Sequence, residues 1–141
     1  MLSFFANATN KSNESRTIIT VHGYNEFTEK VNSLQTEGKK IFCLFVADAD
    51  PRTPNKSWCP DTDRYAPVVT DAWNELDRDE EKVLIKCCVG GREYWKGRGC
   101  EFRKDPNLKL AGVPTLMRWG GKKKLKEGQL TEDKVRAMLQ E

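Results

Sequence analysis

The chain has 141 residues, of which 38% are hydrophobic and 32% are charged, and its formal net charge is +3. This length supports a single domain with one hydrophobic core, and the sequence contains no run of about 18 apolar residues that would predict a transmembrane helix. The one basic run, at 122–124, follows two glycines and has no aromatic residues among its lysines. Such a run is typical of a solvated turn, so we expect neither a membrane nor a nucleic acid as partner.

The N-terminal segment and the cysteines indicate the compartment in which the protein works. Residues 1–17 are expected to form a flexible tail, since positions 7–15 are almost all polar. The short apolar start lacks the charged segment of a signal peptide. The five cysteines are an odd number, which indicates free thiols in a reducing environment and not a disulfide-stapled secreted domain. These observations predict a cytoplasmic protein.

Strand and helix patterns alternate through the first half of the chain. Residues 18–21 predict a strand, and apolar residues at helical spacing then predict a helix that ends at Gly38. Residues 41–47 are continuously apolar, as in a strand that is buried on both faces of a parallel sheet. A polar loop at 48–56 leads from this strand to Cys59.

The second half begins with a helix after Cys59, in which Pro67 is expected to cause a kink. A strand is predicted at 83–89, a polar connection with one short helix at 90–107, a β-hairpin at 113–125, and a last helix capped by Thr131. The expected buried stripe of the first of these helices consists of Tyr65, Val69, Ala72, Trp73 and Leu76. The predicted fold class is therefore α/β, with one domain at 18–141 whose mixed sheet starts parallel, ends in an antiparallel hairpin and is flanked by helices.

The segment from Trp58 to Thr62 is the most informative stretch of the sequence. A cysteine at the start of a helix lies beside free backbone N–H groups, and these together with the helix dipole favour its thiolate form. Pro60 suits the first helical turn, where a missing N–H costs nothing. The pattern Trp-Cys-Pro therefore indicates a nucleophilic cysteine at position 59 and not an inert structural one.

Several segments together resemble those of one family. The chain is similar to the thioredoxin superfamily and, more narrowly, to the small cytosolic thioredoxin-related family of thioredoxin-domain-containing protein 17, over about residue 19 to the C-terminus. The segments that carry the resemblance are Lys56-Ser57-Trp58-Cys59-Pro60-Asp61, Pro67-Val68-Val69, Tyr94-Trp95-Lys96, Phe102-Arg103-Lys104 and Gly112-Val113-Pro114-Thr115.

The resemblance implies a thioredoxin fold that reduces disulfides in the cytosol and is recharged by thioredoxin reductase and NADPH. It makes Cys59 the nucleophile, and it makes Trp58, Pro60, Asp61, Val113 and Pro114 the substrate-binding surface. It also implies a cis peptide bond before Pro114, next to which the backbone of Val113 would pair with a substrate strand. Leu44 stands where thioredoxin has a buried aspartate, so a proton relay through that carboxylate is not expected. We expect a monomer with no bound cofactor.

Thr62 departs from the family motif, because it occupies the position of the resolving cysteine. Its hydroxyl either donates a hydrogen bond to the Cys59 sulfur or belongs to a helix-surface residue of no consequence. Cys100 is a less favoured substitute resolver.

Cys87 and Cys88 are adjacent in a strand and should face opposite sides of the sheet. His22, the single histidine, has no cysteine cluster with ligand spacing beside it, so no metal site is expected.

Three functions follow from these residues. The first is a thiol–disulfide oxidoreductase that attacks protein or small-molecule disulfides through Cys59 alone, with glutathione as co-substrate or thioredoxin reductase as electron source. The second is a redox-inactive binding module that holds partners on the same surface. The third is a variant of a dithiol reductase in which Thr62 traps the mixed disulfide.

Overall fold

The structure is a computed structural model that describes residues 18–53, 55–77 and 81–141. The predicted tail at 1–17 lies outside the described residues. The elements in chain order are β1 (Ile18–His22), α1 (Gly23–Thr36), β2 (Lys40–Val46), α2 (Pro60–Glu75), β3 (Lys82–Cys88), α3 (Arg92–Lys96), α4 (Glu101–Lys104), β4 (Thr115–Arg118), β5 (Lys124–Lys126), a short 3₁₀ helix (Glu127–Gln129) and α5 (Glu132–Leu139). Of the described helices, none has the combined length and apolar character that crossing a membrane would require.

The described residues form one five-stranded sheet in the order β1-β3-β2-β4-β5. Strands β1, β3 and β2 are parallel, whereas β4 is antiparallel to β2 and β5 is antiparallel to β4. Strand β2 lies at the centre, and its residues 41–46 are all buried. The predicted fold class, a mixed sheet with a parallel start and an antiparallel C-terminal hairpin, is confirmed.

Helices cover both faces of the sheet, and the alternation of β2 divides the core between them. Cys43 and Phe45 belong to the apolar cluster that includes α1, while Phe42 and Leu44 belong to the cluster that includes α2 and α5. Cys87 and Cys88 also lie on opposite faces, as expected for neighbours in a strand. Cys87 is fully buried, and Cys88 is half-buried.

Two helix ends match their sequence signals. Gly38 has a φ of 74°, and after it the N–H of Lys39 donates to the carbonyl of Leu34. This left-handed glycine and its return hydrogen bond form the usual stop of a helix. At the start of α5, the hydroxyl of Thr131 accepts a hydrogen bond from the N–H of Lys134, which makes Thr131 the predicted N-cap.

The structure differs from the sequence predictions in the connection and in the hairpin. Residues 90–107 contain two short helices, α3 and α4, and not one, because the extended backbone at Gly97 ends the first of them. Strand β4 begins only at Thr115, since a proline at 114 cannot donate to the sheet ladder. As predicted, Pro67 lies inside helix α2, which continues as far as Glu75; the kink at this residue stays a prediction.

Candidate active site

Cys59 is the N-cap residue of α2, at the end of the loop that follows the central strand. Its backbone is extended, with φ −116° and ψ 109°, and Pro60 occupies the first helical turn. Cys59 is half-buried and Pro60 is exposed. Asp61, also half-buried, lies in the same first turn. The thiol therefore lies at the N-terminus of a long helix and is partly open to solvent.

Ser57 fixes the backbone on the approach to Cys59. Its hydroxyl donates to the carbonyl of Cys59 at 2.6 Å and accepts from the N–H of Cys59 at 3.1 Å. The N–H of Ser57 in turn donates to both carboxylate oxygens of Asp63, at 3.1 and 3.2 Å. These hydrogen bonds thus link the loop before Cys59 to the first turns of α2 after it.

Trp58 connects the motif to the end of β3. Its indole Nε1 donates to the carbonyl of Gly90 at 2.9 Å, and its backbone N–H donates to the carbonyl of Asp48 at 3.2 Å. The carboxylate of Asp48 accepts from the N–H of Gly90 at 2.9 Å, which closes the connection. The half-buried indole packs against the apolar cluster under α1, so the residue before Cys59 is held on several sides.

The loop before β4 faces the thiol from the other side. The Val113–Pro114 peptide bond is cis, which confirms the prediction for this bond. The thiol of Cys59 donates to the carbonyl oxygen of Val113 at an Sγ···O distance of 3.5 Å. The structure thus brings Trp58 and Cys59 close to Val113 and Pro114. In the sequence, Cys59 and Val113 are 54 positions apart.

Thr62 lies away from this contact. It is only 6% exposed, and its hydroxyl accepts a hydrogen bond from the N–H of Ala47 at 3.2 Å. The expectation of a helix-surface residue is therefore wrong, and the hydroxyl bonds to the backbone after β2 and not to the Cys59 sulfur. Positions 62, 66 and 69 share the inward face of α2, so helical spacing was the signal that sequence reasoning missed.

Thr62→Val is expected to lower the free energy of unfolding by about 1–2 kcal/mol, because it leaves the buried N–H of Ala47 without an acceptor. Valine keeps the shape of threonine, so little apolar contact is lost. Chemical denaturation measures the change. The matched control is Thr70→Val on the same helix, where the hydroxyl bonds at the surface, and it should change stability by less than about 0.5 kcal/mol. Equal stabilities of the two variants would contradict the role of the Thr62 hydroxyl.

The other four cysteines do not share the environment of Cys59. All five thiols are free. Burial raises the pKa of the Cys43 and Cys87 thiols well above the ordinary range. Burial also raises the pKa of Cys88, Asp48 raises it further, and Lys86 opposes this. Cys100 is 1% exposed. Thiols of this kind are poor nucleophiles. Across the described residues, no group of three or more His, Cys, Asp or Glu side chains is arranged to hold a metal ion.

The sheet order, the cysteine at the start of α2 and the facing cis-proline loop define a protein of the thioredoxin fold. The crystal structure of the J-Trx1 fragment of ERdj5 has a similar fold, with a TM-score of 0.50 and 18% sequence identity. The match covers 90% of the present chain and about half (52%) of the ERdj5 fragment. The family model described as "Thioredoxin domain-containing protein 17-like, thioredoxin domain" matches residues 20–141. The chain belongs to this family.

Two relatives illustrate the family match. Thioredoxin domain-containing protein 17 of Danio rerio is 44% identical over 124 residues, which cover 87% of this chain and 94% of the relative. The protein of the same name from Homo sapiens is 38% identical over 121 residues, which cover 86% of this chain and 92% of the relative.

Proposed function

We propose that this protein is a thiol–disulfide oxidoreductase that acts on protein or small-molecule disulfides through one nucleophile, Cys59. Its membership of a thioredoxin-like family supports thiol oxidoreductase chemistry in general. The observation that supports a mechanism with one cysteine is the difference between the environments of positions 59 and 62. Cys59 is half-exposed at a helix N-terminus opposite the cis-proline loop, whereas position 62 is a buried threonine that is bonded to Ala47.

The proposed reaction has three exchanges. The Cys59 thiolate attacks one sulfur of a substrate disulfide, the S–S bond breaks, and a mixed disulfide forms while the other substrate sulfur leaves as a thiolate and takes a proton. A glutathione thiolate then attacks the mixed disulfide, releases the remaining substrate sulfur as a thiol and becomes bonded to Cys59. A second glutathione thiolate attacks this new S–S bond, which frees Cys59 and forms glutathione disulfide. In total, the substrate disulfide gains two electrons and two protons, and two glutathione molecules become one glutathione disulfide.

An external thiol is needed because the parent chain offers no efficient internal one. A hydroxyl cannot take part in thiol–disulfide exchange, so Thr62 cannot resolve the intermediate. Cys43, Cys87 and Cys100 are buried, and Cys88 is half-buried with a pKa that burial raises. Glutathione is small and abundant in a reducing compartment, which makes it the proposed co-substrate. We assign the activity to a monomer in the cytosol. Thioredoxin reductase would be the electron source only for a site in which a second thiol resolves the mixed disulfide.

Turnover of a small disulfide by the parent protein should require glutathione and should rise with its concentration. The reason is that release of the mixed disulfide is the step that lacks an internal thiol. The assay follows formation of glutathione disulfide through glutathione reductase and NADPH, with the rate without protein subtracted. Turnover that is independent of glutathione would contradict the proposal.

A second candidate function is a binding module on the same surface. It is favoured by the hydrogen bond that the hydroxyl of Thr62 accepts from the backbone N–H of Ala47. This bond gives position 62 a role in stability that needs no redox chemistry. In that case the protein would bind a partner around Trp58 and Pro114 without turnover. Absence of any reaction at Cys59, together with retained partner binding, would support this function over the first.

A further inference from the structure

We propose that a cleft beside the Val113–Pro114 loop binds negatively charged groups of the substrate, so that the protein prefers disulfides that carry carboxylates. This inference deepens the proposed function and rests on it. The cleft has a volume of about 640 Å³. We call it the basic cleft. It is lined by Lys96, Gly97, Arg98, Cys100, Arg103, Lys104, Leu110 and Ala111.

The lining combines concentrated positive charge with buried apolar residues. Its charged residues are Lys96, Arg98, Arg103 and Lys104, and no acidic residue is among those that line it. Cys100 and Leu110, which also line it, are both buried. Clefts with one sign of charge and low-dielectric walls concentrate oppositely charged solutes and accelerate their encounter.

Arg103 is held in place before any ligand arrives. Its guanidinium donates to the carbonyl of Trp95 at 3.2 Å and lies over the Trp95 ring at 5.8 Å from the centroid. Trp95 itself is only 7% exposed. An arginine fixed in this way loses little side-chain freedom on binding, and its planar fork suits a carboxylate.

Two acidic residues of this segment, Glu101 and Asp105, accept hydrogen bonds from tyrosines. Asp105 accepts from the hydroxyl of Tyr24 at 2.6 Å, which is the main reason that the pKa of Tyr24 is raised to about 12. Glu101 accepts from the hydroxyl of Tyr94 at 3.4 Å. Among the described residues, no ion pair joins a cation of the basic cleft to a carboxylate. The charge of the cleft is therefore open to an anion from solution.

The basic cleft adjoins the proposed site of attack. Ala111 lines the cleft, and the carbonyl of Val113, two residues further on, is 3.5 Å from the Cys59 sulfur. Two residues span at most about 7 Å. One short segment thus borders both Cys59 and the basic cleft, so a disulfide at Cys59 can extend a carboxylate toward the cleft.

The first test compares the rate constants of Cys59 attack on an aromatic disulfide with two carboxylates and on an uncharged dipyridyl disulfide. The ratio of interest is the rate constant for the disulfide with carboxylates divided by the rate constant for the uncharged disulfide. The double variant Lys96→Gln, Arg98→Gln should lower this ratio by about tenfold at low salt. Added salt should also lower the ratio of the parent protein. The matched control is Lys122→Gln, Lys123→Gln. It removes equal charge from an exposed turn at the opposite end of β2, where the N–H of Trp119 bonds to Ile41. This control should change the ratio by less than about twofold.

An unchanged ratio in the cleft variant, or an equal fall in the control variant, would overturn the proposal. A second measurement does not depend on the reactivity of Cys59. Glutathione disulfide, an anion, is titrated into Cys59→Ser, and backbone amide signals are followed by NMR. We expect shifts at Arg98 and Ala111 and an affinity that falls at least fivefold when Lys96 and Arg98 are also replaced by glutamine. Equal affinities would overturn the basic cleft, whereas a parent protein that fails to attack the uncharged disulfide would overturn the proposed function alone.

Discussion

Thr62→Cys is expected to reduce a small disulfide with thioredoxin reductase and NADPH at least about a hundredfold faster than the parent protein. The N–H of Thr62 donates to the carbonyl of Cys59 at 3.0 Å, so a thiol at position 62 would lie within the same first turn as the mixed disulfide. An internal thiol acts at an effective concentration far above that of any external one, and it would expel the substrate without glutathione. NADPH absorbance measures the rate.

The matched control for this gain is Thr62→Ser, which keeps a hydroxyl acceptor for the N–H of Ala47 and adds no thiol. It should show no NADPH-coupled turnover. Sulfur is a weaker acceptor than oxygen, so the folding of Thr62→Cys is checked beside its activity. Full turnover by the parent protein with thioredoxin reductase and NADPH, in the absence of glutathione, would refute the one-cysteine mechanism. A folded but inactive Thr62→Cys would favour the binding module.

Cys59→Ser is expected to slow covalent attack on an aromatic disulfide by about a thousandfold, because a neutral hydroxyl is not a nucleophile toward disulfides. The measurement is the release of the coloured thiol, which should reach one equivalent in the parent protein. Cys88→Ser is the control, since Cys88 is also half-buried but has a pKa raised by burial. This variant should keep the parent rate within about twofold. A loss in Cys88→Ser and none in Cys59→Ser would move the nucleophile to position 88.

The sequence was sufficient to predict those parts of the fold that are determined by one strong local signal. The apolar run of β2 predicted a fully buried central strand, and Gly38 predicted the end of α1. The motif with Cys59 and Pro60 predicted a helix start that carries a thiol. The predicted cis bond before Pro114 relied on the family resemblance, since a proline alone does not determine the isomer.

Features that depend on long-range packing were missed. The hydroxyl of Thr62 finds its partner in the backbone of Ala47, 15 residues earlier, and nothing in the local pattern reveals that contact. The basic cleft needs the contact between the two short helices in which Arg103 of α4 lies over Trp95 of α3. In the sequence, its cations are spread among acidic residues and look like an ordinary solvated surface.

The most direct test of the one-cysteine account is the intact mass of the parent protein after reaction with a small disulfide in the absence of other thiols. The one-cysteine mechanism predicts a single adduct, mapped to Cys59, that persists until glutathione is added and then disappears. A protein that instead loses two hydrogen atoms through an internal disulfide, such as one between Cys59 and Cys100, would contradict the account and make Cys100 the resolving residue.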